Sequence, residues 1–146
     1  MRFSRLLPAA FALAALALTS GCAVNRATAS VDGSADLGAL KTINVVHIKE
    51  DERRVDKLIT EKLNKIGFVA TSSDAKRSDV DANLTYIDRW YWDITMYMIE
   101  LTIVVRDGKT DFPLARGNSL HSSLTRRSPQ EMVDEVTANI FKEVKK

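Results

Sequence analysis

A single cysteine stands among the 146 residues, which excludes a disulfide framework within the chain and any multi-thiolate metal centre. Histidine is nearly as scarce. His47 and His121 are the two present, and neither has a second His, a Cys or a Glu at ligand spacing, so they read as ordinary strand positions and no metal or other cofactor is expected. There is no G-x-S-x-G, and Ile103 stands where the first glycine of a phosphate-binding loop ending in Gly108-Lys109-Thr110 belongs. Charge of one sign is lacking too: 21 basic residues face 19 acidic ones, and Arg2 and Arg5 are the charged residues ahead of Cys22. Without those two arginines the charges balance, which removes any electrostatic reason to expect a nucleic-acid partner.

What is present begins with the N-terminus. Arg2 and Arg5 precede the apolar run Leu6 to Leu18, whose 13 residues suit the core of an export signal and fall short of the roughly 20 that span a bilayer. Leu18-Thr19-Ser20-Gly21-Cys22 follows. It resembles a bacterial lipobox, with Thr19 where that motif usually has Leu. The resemblance implies a signal peptide over 1–21 and a Cys22 that is diacylated and becomes the mature N-terminus, a membrane partner through acyl chains such as palmitate. Two alternatives are an ordinary signal-peptidase site at Ala27-Thr28-Ala29 and a Cys22 that is a small apolar residue of the signal. The first lies far from the end of the apolar run; the second leaves unexplained a lone cysteine at the exit of that run. Ala23, where inner-membrane retention usually has Asp, implies an outer-membrane address.

Residues 22–40 are rich in Ala, Ser, Gly, Thr and Asp and lack a period that buries a face, so they read as the lipidated Cys and a flexible linker reaching about 25 Å. The globular domain is then 41–146. Lys41 to Ile48 reads as a buried strand, and Glu50 or Asp51 opens a helix on which Val55, Leu58, Ile59, Leu63 and Ile66 share a face, with Gly67 as its stop. Phe68 to Thr71 is a short strand. From Val80 the period becomes two. A strand through Tyr86 is followed by one from about Ile94 to Arg106, with Tyr97, Ile99, Leu101, Ile103 and Val105 on one face, and Asp107-Gly108 marks a turn. Phe112 to Leu124 reads as an edge or bulged strand because of Pro113 and Gly117. Ser128-Pro129-Gln130-Glu131 is a capping box for a last helix buried through Met132, Val133, Val136, Ile140, Phe141 and Val144. The fold class expected is α+β: about five strands in a mixed or antiparallel sheet, two helices on one face, in the order β-α-β-β-β-β-α.

Every Trp and Tyr of the chain lies between Tyr86 and Tyr97, as Tyr86, Trp90, Tyr91, Trp92 and Tyr97, together with Asp88 and Asp93. Such a cluster suits stacking on a glycan or a peptide. It equally suits scaffold, because aromatic pairs stabilise hairpins and a buried Trp N–H needs an acceptor such as Asp88 or Asp93. Both readings stand, with scaffold preferred and Tyr91 expected to be the most accessible of Trp90, Tyr91 and Trp92. A glycosidase pair of Asp88 and Asp93 would need carboxyl groups about 5 to 9.5 Å apart.

Ala82 to Tyr86 and then Trp90-Tyr91-Trp92-Asp93-Ile94, with Tyr97 and Asp107, resemble small bacterial lipoproteins that carry a Tyr, W-x-W-D and Tyr signature on a central hairpin. The element order also looks like periplasmic lipoprotein domains that bind protein partners. These likenesses imply a lipid-anchored protein of the cell envelope, on the outer membrane facing the periplasm, with an envelope protein as partner, and they imply no particular activity. The linker, the balanced charge and the lack of a catalytic constellation lead to the expectation of a non-enzymatic accessory, with a small glycan- or peptide-binding module on residues 86–97 as the alternative.

Overall fold

The computed structural model describes residues 23–144. Strand β1 is Asn25–Val31, β2 Thr42–Val46, helix α1 Val55–Lys65, β3 Val69–Ser73, β4 Ala82–Asp93, β5 Thr95–Asp107, β6 Pro113–His121 and helix α2 Pro129–Ile140, with a single 3-10 turn at Ser123–Thr125. The strands form one sheet in the order β1-β6-β5-β4-β2-β3. β2 pairs in parallel with β3 and β4, and every other pair is antiparallel. The fold is therefore α+β with a mixed sheet, as the patterning implies, but with six strands rather than five.

The additional strand overturns the flexible linker. β1 pairs with β6 along its whole length, from Asn25↔His121 to Val31↔Ala115, and Leu37 and Leu40 beyond it are buried in the core. The domain thus begins near Val24 and not at residue 41. Asn-Arg-Ala-Thr-Ala-Ser-Val leaves all but Ala27 exposed, so no alternating apolar face announces it; its backbone ladder specifies it. β6 consequently lies inside the sheet. Pro113 is tolerated at its first residue, and Gly117 is needed because a Cβ there would sit 2.8 Å from Cγ1 of Val136 and of Ile140 on α2. The expected bulge does occur, between Val105 and Arg106.

Helix α1 starts at Val55, later than its sequence suggests, after Arg54 takes a left-handed conformation (φ 57°). Asp51 nonetheless serves the helix start: its carboxylate accepts the Val55 N–H at 2.6 Å and the Arg53 N–H at 3.0 Å. Gly67 (φ 99°) ends the helix. α2 opens with the expected capping box, Ser128 accepting the Glu131 N–H and Glu131 the Ser128 N–H. Ile43, Val45, Leu84, Met98, Leu101, Ile103 and Val105 from the sheet meet Val55, Ile59, Leu63, Met132, Val133 and Val136 from the helices, all without solvent exposure. After β5 the positive φ falls on Asp111 (60°) and not on Gly108; Gly108 is required because a Cβ would lie 2.0 Å from the Val80 carbonyl oxygen.

Candidate functional site

The β4–β5 hairpin holds all the aromatic residues singled out from the sequence, and a bulge sorts them. Arg89 pairs with Glu100 but Trp90 pairs with Met98, so Ile99 is an extra residue. The continuous face expected through Tyr97 and Ile99 is thereby broken: Met98 joins Leu101, Ile103 and Val105 with no exposure, and Tyr97, though buried, points to the opposite side.

Tyr86 belongs to the core. Its hydroxyl donates to the Asp51 carboxylate at 2.7 Å and accepts the Ile48 N–H at 3.4 Å. Burial, reinforced by the bond to Asp51, pushes its ionisation well above the ordinary tyrosine range. Trp90 packs partly against the core, donates its Nε1–H to Asp88 at 2.6 Å, and lies under the Arg53 guanidinium at 4.2 Å. Together with Ile48, Glu50 and Ile87 these residues line an open cleft of about 300 Å³. Tyr97 is covered by the Arg126 guanidinium at 4.1 Å and meets the edge of Tyr91, 6.1 Å between ring centres.

Tyr91 is 56% exposed and Trp92 65%, so both are accessible and the most accessible of the trio is Trp92 and not Tyr91. Trp92 does point to the same side as Trp90, but it lies closer to the hairpin tip, opposite Met96. Asp88 and Asp93 lie five residues apart on one strand, roughly 16 Å along it and on opposite faces, which removes the glycosidase geometry.

At the tip, Asp93 pairs with Thr95 across the single residue Ile94, which has φ 63° and is 85% exposed. A β-branched residue in this conformation is strained by about 1 to 3 kcal/mol. The tip is held by residues from outside the hairpin. Arg126 donates to the Asp93 carbonyl at 2.8 Å, to its carboxylate at 3.2 Å and to the Thr95 hydroxyl at 2.8 Å, and Ser123 donates to the same carboxylate. The turn that carries Ser123 is fastened in turn to the start of β1, where the Val24 N–H donates to the Ser122 hydroxyl at 2.9 Å and its carbonyl accepts the Ser122 N–H and the Thr125 hydroxyl. Hairpin tip, 3-10 turn and N-terminal entry thus form one hydrogen-bonded end of the molecule. No local signal in the sequence joins Arg126, Ser123 or Arg53 to the hairpin.

Two further polar clusters were not foreseen. Ser119, His121 and Glu135 have the residue types of a nucleophilic triad, but both Ser119 (2.6 Å) and His121 Nε2 (2.8 Å) bond to the same Glu135 oxygen, and the first two have no solvent exposure. The serine is not bonded to the imidazole, so the cluster pins β6 to α2 and activates no hydroxyl. Burial disfavours ionised Glu135, yet the bonds from Ser119 and His121 outweigh it and lower its pKa. Asp56, buried on α1, receives a two-pronged bond from Arg54 at 2.9 and 3.0 Å and one from Ser72. Here too burial opposes the charge, and those bonds with the Arg54 charge overcome it, setting the pKa to about 2. Among the described residues no group of three or more His, Cys, Asp or Glu side chains is arranged to hold a metal ion, and no helix is long and apolar enough to cross a membrane.

No protein-family model and no curated protein matches the sequence. Solved structures do. A single-substitution variant of the PelC dodecamer from Paraburkholderia phytofirmans superposes with a TM-score of 0.61 at 9% identity, covering 80% of this chain and 97% of that one. A second crystal form of PelC from the same organism gives 0.57 at 9%, covering 84% and 99%. A PDZ domain protein from Parabacteroides distasonis gives 0.51 at 14%, covering 94% of this chain and 39% of that protein. At these identities the likeness is one of fold: the arrangement of sheet and helices described above is shared with PelC over nearly the whole of the PelC chain.

Proposed function

We propose that the protein is a lipid-anchored lipoprotein of the bacterial envelope, held by an acylated Cys22 on the periplasmic side of the outer membrane, and that it acts without catalysis through contacts with envelope proteins. The observation that carries this is the succession Arg2, Arg5, the apolar run Leu6 to Leu18 and the lone Cys22, followed within three residues by the first strand of a folded domain. Such a chain needs no separate tether. Support also comes from the Ser119–His121–Glu135 and Asp51–Tyr86 clusters, whose reactive side chains are engaged in joining one element to another. The two PelC structures are dodecamers, so further copies of this chain are the first partners to seek.

Metabolic labelling with a fatty-acid analogue tests the anchor. Label is expected on the wild type, and Cys22→Ser should be unlabelled and either unprocessed or released from the membrane fraction; an unlabelled wild type refutes the anchor. Cross-linking in intact envelopes should give species larger than the monomer, and a monomer alone would refute the role in protein contacts. The alternative, a glycan- or peptide-binding module, retains Tyr91 and Trp92 as its exposed aromatics. Calorimetric titration of glycan fragments or peptides whose heat vanished in Trp92→Ala would favour it.

A further inference from the structure

We infer that the β4–β5 hairpin tip and the Ser123–Thr125 turn form a second contact with the phospholipid surface, setting Trp92, Ile94, Met96, Leu124 and Val24 into the boundary between headgroups and acyl chains beside the anchor. The inference rests on the lipid anchor at Cys22 proposed above.

Its first ground is where the chain enters. Cys22 precedes Val24 by two residues, so their Cα atoms are at most about 7 Å apart. A leaflet that holds acyl chains on Cys22 therefore lies against whatever surrounds Val24. That neighbourhood is fixed by the fold: β1 begins opposite the end of β6, the end of β6 lies beside Glu100 in β5, and the turn that follows β6 carries Ser123 and Arg126 on to the hairpin tip. The hydrogen bonds from Val24 to Ser122 and Thr125, and from Ser123 and Arg126 to Asp93, make the hairpin tip part of the same rigid end.

The second ground is what this end exposes. Of the ten large hydrophobic side chains exposed among the described residues, six are here: Val24 (43%), Tyr91, Trp92 (65%), Ile94 (85%), Met96 (48%) and Leu124 (75%). Concentration of this kind marks a contact surface, and a tryptophan with an apolar body and one N–H suits a membrane boundary. The acid at the tip, Asp93, is neutralised by Arg126, so no bare carboxylate would be carried toward the headgroups.

The third ground is Ile94 itself. At φ 63° an Asn, Asp or Gly would be at ease. An isoleucine is unfavourable there in water through both its backbone and its exposed side chain, and the second cost becomes a gain when the tip meets lipid.

The test uses the full-length, processed protein reconstituted in vesicles of phosphatidylethanolamine and phosphatidylglycerol, with brominated acyl chains as the quencher of tryptophan fluorescence and the acyl label on Cys22 measured in the same sample. Wild type and Trp90→Phe, in which Trp92 reports, should be quenched and blue-shifted; Trp92→Phe, in which Trp90 reports, should not. Ile94→Asn should lose the quenching while its melting temperature in detergent stays the same or rises, a pair of opposite effects that a purely structural Ile94 would not give. Labelled protein whose Trp92 is not quenched refutes the lipid contact and leaves the anchor standing. Unlabelled protein whose Trp92 is still quenched refutes the anchor and upholds the contact, and loss of both refutes both. A Trp92 that is blue-shifted but not quenched, with cross-links between copies through the tip, assigns the surface to a second copy and overturns the inference.

Discussion

Asp51 joins three parts of the domain through one carboxylate, and its removal has a cost that can be worked out bond by bond. One oxygen accepts the Val55 N–H at 2.6 Å and the Tyr86 hydroxyl at 2.7 Å, and the other accepts the Arg53 N–H at 3.0 Å. Asp51→Ala uncaps α1, about 1 kcal/mol, and strands a hydroxyl on a residue that is 4% exposed, about 1 to 3 kcal/mol. The expected total is about 3 kcal/mol. For a domain of this size that lowers the melting temperature by roughly 10 °C. Tyr86→Phe removes the same hydroxyl, so after Asp51→Ala there is no longer a stranded group. The double variant should therefore be more stable than the sum of the two single losses predicts, by about 1.5 kcal/mol. Urea titrations of the four proteins at neutral pH measure the cycle. Strict additivity, or an Asp51→Ala loss below about 1 kcal/mol, would refute the proposed junction.

Asp56 makes stability depend on acid: its folded pKa of about 2 lies below the ordinary 3.8, so its contribution of about 2 kcal/mol is fully present above pH 3.8 and is lost as the pH falls toward 2. Acid-unfolding curves of wild type and Asp56→Asn should differ at pH 5 and converge near pH 2, and a constant gap would count against the reading. Gly117→Ala sets a methyl group against Val136 and Ile140 on α2 and should cost about 1 to 3 kcal/mol, seen as a lower thermal midpoint. Trp90→Ala should cost about 3 kcal/mol through lost packing and the lost bond to Asp88, whereas Trp92→Ala, exposed, should leave the melt within about 0.5 kcal/mol of wild type; equal losses would refute the division of the two tryptophans.

Much of this architecture is written locally. The β-branched run around Val45, the helical stripe Val55-Ile59-Leu63 and the Ser128–Glu131 capping box each specify an element within one turn or one pleat of the chain, and periodicity reads such signals directly. β1 is of the other kind: its side chains are almost all in water, so its information resides in β6, far along the chain. The hairpin divides in the same way. Aromatic enrichment located it, but the bulge at Ile99, which decides the faces of Tyr97 and Met98, depends on the pairing partner. The sharp turn at Ile94 has no Gly, Asn or Asp at its positive φ and forms because Arg126 and Ser123 arrive from the other side of the domain. Local propensity had no access to those groups.

The seven paired positions between β1 and β6 also have a mechanical meaning. The chain enters the domain at the end of β1 that lies beside the hairpin tip, and β1 then runs away from that end along the length of β6. Whatever holds the chain ahead of Val24 pulls along the strand axis when the body of the domain is drawn the other way. Load in that direction is shared by all the rungs at once, as shear, whereas a pull across the strand would open them one at a time. An edge strand with almost no buried side chains, weak by any count of its packing, is thereby placed where it resists tension best.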